Sequence, residues 1–427
     1  MKKLITTTLI LGQIMMAATV QYIETDGLKI PVIFENDKRL PLVTMQFVFT
    51  NSGSIADSSK AGLAKVSAKV MNEGTKTLGA TAFATELESR AISISASTGT
   101  ETFVMELSCL KDEFTTGLKQ FNSLLKEPNF TDETVEKVKT MTIGGLSRKE
   151  NDFDYTASNE LKSVLFTNTV LGQPSSGTVA SVKSIELDDV KQFINSHLVS
   201  SRLIVVLGGD VDLKTAKKKI LKLINSLPKG KSEKVVHYET TKKAKESILK
   251  RETQQAYIYF GSPYNMKSDD ENYYKARVAT FILGTGGFGS RLMEEVRVKR
   301  GLAYSAYARV SITKASSYFS GYLQTKIESQ QEAQKTVNEV IANFVKNGVT
   351  KEELEQTKKF ILGSEPLRVE TMSQRLNRTF MEFYKGQELG SSAQELEKIK
   401  NLKLKDLNRF IREHSEINNL SYAIVTK

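Results

Sequence analysis

Apolar residues recur along the chain with two periods, and the two are segregated. Short runs rich in β-branched residues and bounded by polar or turn-forming residues predict strands at Ile30–Phe34, Val43–Thr50, Ile92–Ser97 and Phe103–Leu107. Helical spacing then takes over, from Lys111 to Leu125 and from Thr131 through Phe166. An apolar run, Leu203–Leu207, closes the series. The same order returns further on. Ala256–Phe260, Ala303–Val310 and Tyr318–Thr325 read as strands, Gln330–Val345 and Lys351–Leu362 as helices, and Ser421–Val425 as a closing strand. Strands grouped apart from helices predict an α+β fold, with antiparallel sheets packed against helices, instead of alternating βαβ units.

The two series are copies. Leu187, Asp189, Phe193, Ile194, His197 and Leu203 recur 217 positions later as Leu404, Asp406, Phe410, Ile411, His414 and Leu420. Thr131, Glu133, Glu136, Lys139 and Gly144 recur at an offset of 219 as Thr350, Glu352, Glu355, Lys358 and Gly363. Two blocks with nearly one offset imply a module of about 200 residues, duplicated in tandem. Ser226–Glu246, lysine-rich with Pro228 and Gly230, is the expected linker between modules at 19–225 and 247–427. His197 and His414 occupy equivalent positions between a helix and a strand, which predicts a structural role repeated in both modules.

Composition narrows the chemistry. The 427 residues are 40% hydrophobic and 26% charged, enough for sizeable cores. A single cysteine, Cys109, excludes an intrachain disulfide or a cysteine-rich metal site. The three histidines, His197, His237 and His414, are too far apart to form a helical pair of zinc ligands. Sixty basic against 49 acidic residues give a net charge of +11, but tryptophan is absent and no basic motif is interleaved with aromatics, which argues against nucleic acid. Lys2 and Lys3, the apolar stretch Leu4–Met16 and the pair Ala17-Ala18 read as a secretory signal over residues 1–18. Export is therefore expected, most simply to the periplasm. No later stretch is long and apolar enough to span a bilayer.

Gly284, Gly286 and Gly289 match a dinucleotide-binding pattern, but a predicted helix precedes them where that fold needs a strand. The segment Ser290–Tyr304 is more informative. A charged helix stops at Gly301 and an apolar strand follows, so Arg297 and Tyr304 can meet at one rim. Two donors placed together suit a peptide carbonyl or a developing oxyanion. A cation near a helix C-terminus beside a half-buried strand tyrosine is the alternative use of the same residues.

The run Gly286–Ser305 resembles the signature of the pitrilysin/insulinase metallopeptidase family, which includes the mitochondrial processing peptidases and the respiratory-complex core proteins. Asn51–Ser54, Ala61–Ala64, Asn72–Thr75 and Val205–Asp212 resemble further segments of it. The resemblance implies tandem α+β modules and a chamber for unfolded peptides. Active members carry His-x-x-Glu-His, two zinc ligands and a general base, where this chain reads Lys65-Val66-Ser67-Ala68-Lys69. The family's third ligand, a glutamate, falls in register on Gly145. Ammonium groups repel a divalent cation, so no zinc is expected in this chain. On a helical wheel Lys65 and Lys69 lie opposite Leu63, Val66 and Val70, as on an ordinary solvated face; a new use, such as holding a peptide's C-terminal carboxylate, stays open. The resemblance makes Arg297 and Tyr304 the substrate-holding pair. It implies a metal-free subunit whose homologous partner, bearing His-x-x-Glu-His, supplies the zinc. A non-enzymatic scaffold or peptide-binding chaperone of the same descent is the alternative.

Overall fold

The computed structural model describes residues 18–427, so the expected leader lies outside the described residues except for Ala18. The first module runs through β1 (Thr19–Thr25), β2 (Leu28–Asn36), β3 (Leu42–Thr50), α1 (Leu63–Met71), α2 (Gly79–Glu88), β4 (Ser93–Thr98) and β5 (Thr102–Leu110). Helices α3 (Phe114–Lys126), α4 (Asp132–Arg148), α5 (Phe153–Leu165), α6 (Val179–Lys183) and α7 (Leu187–His197) follow, then β6 (Leu203–Gly209) and α8 (Leu213–Ile224). The second runs through β7 (Glu246–Lys250), β8 (Gln255–Pro263), α9 (Tyr273–Thr280), α10 (Arg291–Met293), β9 (Ala303–Ile312) and β10 (Ser317–Lys326). It continues with α11 (Gln330–Asn347), α12 (Lys351–Gly363), α13 (Met372–Lys385), α14 (Ser391–Asn401), α15 (Leu404–Glu413) and β11 (Ser421–Thr426).

The duplication holds strand by strand. Apart from β1, the order β2-β6-β3-β5-β4 of the first sheet maps onto β7-β11-β8-β10-β9 of the second. Neighbours are antiparallel except β2 with β6 and β7 with β11, because each closing strand re-enters its sheet after a run of helices. Every residue of β6 and β11 is buried. They are central strands covered on both faces, which is why their sequences are apolar without alternation.

One face of the first sheet packs Met45, Phe47, Phe49, Phe103 and Met105 against Phe121 and Leu124 of α3. The other face is covered from the second module. Leu376, Phe380 and Tyr384 of α13 lie on Ile33, Val48, Ile204 and Val206. The exchange is reciprocal, since Leu161 and Leu165 of α5 pack with Tyr259, Tyr318 and Ala423 of the second sheet. Each module thus lends one helix to the other. Polar locks fix the exchange. Buried Glu35 of β2 accepts from Arg375 Nε at 2.8 Å and Nη2 at 2.6 Å, while buried Glu101 accepts from Tyr384 Oη at 2.6 Å and from the Ala315 amide at 2.6 Å. Asp154 of α5 accepts from Tyr259 Oη at 3.1 Å.

Two expectations change. The helix expected from Thr131 through Phe166 is broken at Lys149–Asp152, where Asp152 accepts from the Tyr155 amide at 3.0 Å and starts α5 in a new direction. The expected linker ends one residue early, because Glu246 already belongs to β7, beside Tyr422 of β11.

Candidate functional site

Helix α1 is held from its N-terminus by Asp57. This buried carboxylate accepts from the Gly62 amide at 2.8 Å and the Ala64 amide at 2.7 Å. Burial pushes its pKa up to about 6, against the two amide hydrogen bonds that favour the charged form. Gly62 is required there, since a Cβ would meet the Gly177 backbone at 2.9 Å and φ is +91°.

Helix α1 carries the five residues, Lys65 to Lys69, expected to stand at the family's metal motif. Ala68 is buried in the core of the first module with Ala64 and Met71. Lys65 and Lys69 are not on a solvated face as the helical wheel suggested. Both are half-buried, because α4 and the loop before α6 close over them. Lys65 Nζ donates to Ser176 Oγ at 2.8 Å, and Lys69 Nζ to Thr142 Oγ1 of α4 at 2.7 Å. Burial, and secondly the charge of Lys149, holds Lys65 below the ordinary lysine pKa; burial, then Lys65 and Lys149, does the same for Lys69. Gly145 lies one turn beyond Thr142, and a Cβ there would meet only Arg148 Nη2, at 3.9 Å. Two ammoniums, a methyl and a glycine do not fit a zinc ion, which needs neutral imidazoles and carboxylates within bonding distance. Among the described residues no three His, Cys, Asp or Glu side chains are grouped to hold a metal ion.

The second constellation is built around Arg297. A π-type turn over Glu294–Lys299 buries Val296 and leaves Arg297 outward. The Leu302 amide donates to Val296 O at 2.8 Å, and the Thr325 hydroxyl donates to Leu302 O at 2.7 Å, which pins the start of β9. Tyr304 is thereby presented in an edge strand and is 81% exposed. Its ring centroid lies 4.2 Å from the guanidinium carbon of Arg297. The structure therefore brings the expected pair together, but face-on. Phe288, 65% exposed, lies on Arg297 as well, its centroid 4.6 Å from the same carbon. The guanidinium thus rests on two aromatic rings, which restricts its movement. No hydrogen bond or ion pair among the described residues occupies the Arg297 guanidinium, while its neighbours Arg291 and Lys299 are tied to Glu353 and Glu295.

Phe288 escaped the sequence reading because it sits inside the glycine run. Its signal was a lone aromatic flanked by Gly287 and Gly289 at a loop tip. Gly284 lets that loop start against the sheet, since a Cβ would meet Ala308 N and O at 2.6 Å. Asp57 and Lys149 were also missed; nothing local marks either. His197 and His414 are packing residues. His197 stacks on Phe193 at 4.3 Å, and His414 stacks on Tyr264 at 4.6 Å and meets Glu416 at 2.8 Å. Among the described residues no hydrogen bond, ion pair or cation–π contact joins the lysines of α1 to the Arg297 cluster.

Residues 32–179 match the family model for insulinase (peptidase family M16), and residues 184–361 the model described as the peptidase M16 inactive domain. The chain is 43% identical, over 98% of its own length and 97% of the relative's, to the non-peptidase homolog YmxG of Helicobacter pylori. It superposes on the peptidase M16 inactive domain from Pseudomonas fluorescens with a TM-score of 0.86 at 24% identity, covering 95% of this chain and 97% of that one. On the periplasmic protease PqqL of Escherichia coli the TM-score is 0.75 at 15% identity, with 96% of this chain covering 48% of PqqL. By its sequence over most of its length and by its paired modules, the chain belongs to peptidase family M16, the insulinase family, and its sequence carries no His-x-x-Glu-His.

Proposed function

We propose that this chain is the metal-free, substrate-gripping subunit of a periplasmic zinc peptidase, paired with a homologous chain that carries His-x-x-Glu-His and acting on unfolded peptides. The observation that carries this is the contrast between the two constellations. The α1 positions are filled by residues that do not fit a metal, whereas the Arg297 guanidinium is stacked on Tyr304 and Phe288 and, among the described residues, has no hydrogen bond or ion pair. The length relation to PqqL supports it, since this chain covers 48% of that protein and 92% of its first half. In the assembly Arg297 donates to the peptide carbonyl and to the oxygen that becomes anionic, and Tyr304 Oη donates to the same atom. An extended peptide suits this place because β9, the strand that bears Tyr304, is a sheet edge. The zinc, the base and the water belong to the partner.

The test is recovery of the tagged chain under mild conditions. A copurifying His-x-x-Glu-His chain is expected, with zinc in the complex and none in this chain alone. Recovery as a homodimer without such a chain would favour the second reading, a non-enzymatic scaffold or peptide-binding chaperone, which the name of the Helicobacter pylori relative supports.

A further inference from the structure

Lys65 and Lys69 bring positive charge into a half-buried place with no negative group to meet it. Nearby lysines are treated differently. Lys60 pairs with Asp189, Lys137 with Glu73 at 2.6 Å, and Lys139 with Glu136 at 2.6 Å. Among the described residues no carboxylate forms an ion pair with Lys65, Lys69 or Lys149. Each of the first two spends one of its three donors on a neutral hydroxyl, Ser176 or Thr142. Those hydroxyls, having accepted, keep their own hydrogens to donate.

Partly desolvated like charges raise one another's cost, and an anion among them relieves it. The position that accepts a cation in metal-bearing relatives has been inverted in charge. We propose that Lys65 and Lys69, enclosed by α1, α4 and the loop before α6, form a receptor for a carboxylate of a bound peptide. A carboxylate has acceptor sites for both ammoniums and both hydroxyls. A peptide offers two such groups, its C-terminus and its acidic side chains. The peptide as bearer rests on the function proposed above; the anion site rests on the lysines.

The experiment uses the full chain alone and a labelled, N-acetylated peptide of neutral residues in three forms: C-terminal acid, C-terminal amide, and amide with one internal glutamate. At least one carboxylate form binds about tenfold or more tightly than the neutral amide, and which one does so identifies the source. K65M combined with K69M abolishes the difference. A second measurement needs no variant: acylation of Lys65 and Lys69, mapped by mass spectrometry, is suppressed by that carboxylate peptide and not by the neutral amide. Equal binding of all three forms, unaltered acylation, or a preference that survives the double replacement in folded protein overturns the receptor. If no form binds, the receptor and the peptide-binding role fall together. Carboxylate-selective binding with no partner recruited keeps the receptor and refutes the subunit role.

Discussion

Arg297 illustrates what a side chain gains from its neighbours. A guanidinium on an exposed turn explores many rotamers, and two ring faces remove most of that freedom before a peptide arrives. Phe288→Ala should therefore weaken turnover by the proposed assembly only about two- to fivefold, the scale of one exposed cation–π contact. Tyr304→Phe keeps the ring and removes the donor, so its loss should be larger, about 10²-fold. Steady-state rates on one quenched peptide separate the two. Asp57 makes a prediction of a different kind. Its folded pKa of about 6 lies above that of an unfolded aspartate, so the native state takes up this proton first and gains stability as pH falls through 6. The stability of the wild type minus that of Asp57→Asn, from urea midpoints, should rise from pH 7 to pH 5; an unchanged or falling difference would contradict the burial argument. Arg297 and Tyr304 were legible because type, spacing and flanking sequence coincide. Phe288 and Lys149 were not, since each matters through a partner distant in sequence or hidden by a glycine loop.

Among the elements, α5 and α13 carry the most information about how the chain is assembled. Arg375 fastens α13 to the first sheet through Glu35 Oε1, while the buried Oε2 of Glu35 has no hydrogen-bond partner among the described residues. Removing the arginine leaves a buried carboxylate uncompensated, so Arg375→Met should cost about 3–5 kcal/mol, and Arg375→Met with Glu35→Met clearly less. Chemical denaturation of both variants checks this; equal losses would refute it. Periodicity located strands and helices well wherever one face is buried, as in β3, β5 and α11. It could not show that α5 and α13 cross to the opposite sheet, because a helix's apolar stripe says that it is covered and not by which module. The break at Lys149–Asp152 was equally opaque, since the apolar spacing on either side continues almost in phase. Half-burial of Lys65 and Lys69 depends on α4 closing over α1, which no local pattern encodes.

At the scale of the molecule, the duplication read from two near-equal offsets is the architecture itself, two sheets of matching strand order each covered by a helix of the other. Such a body is stabilised by its cores and by the exchanged helices. Dialysis of the isolated chain against a chelator should leave its Tm unchanged, and added zinc should not raise it; a shift in either direction would contradict the assignment of α1. The central claim is a division of labour between chains, and the cleavage rate of an unfolded peptide by the copurified assembly tests it most directly. This chain alone should give no cleavage, the assembly with wild-type chain should cleave, and the assembly with Arg297→Ala should form normally yet cleave about 10²–10³-fold more slowly. Cleavage by the lone chain, or a full rate with Arg297→Ala, would contradict the account.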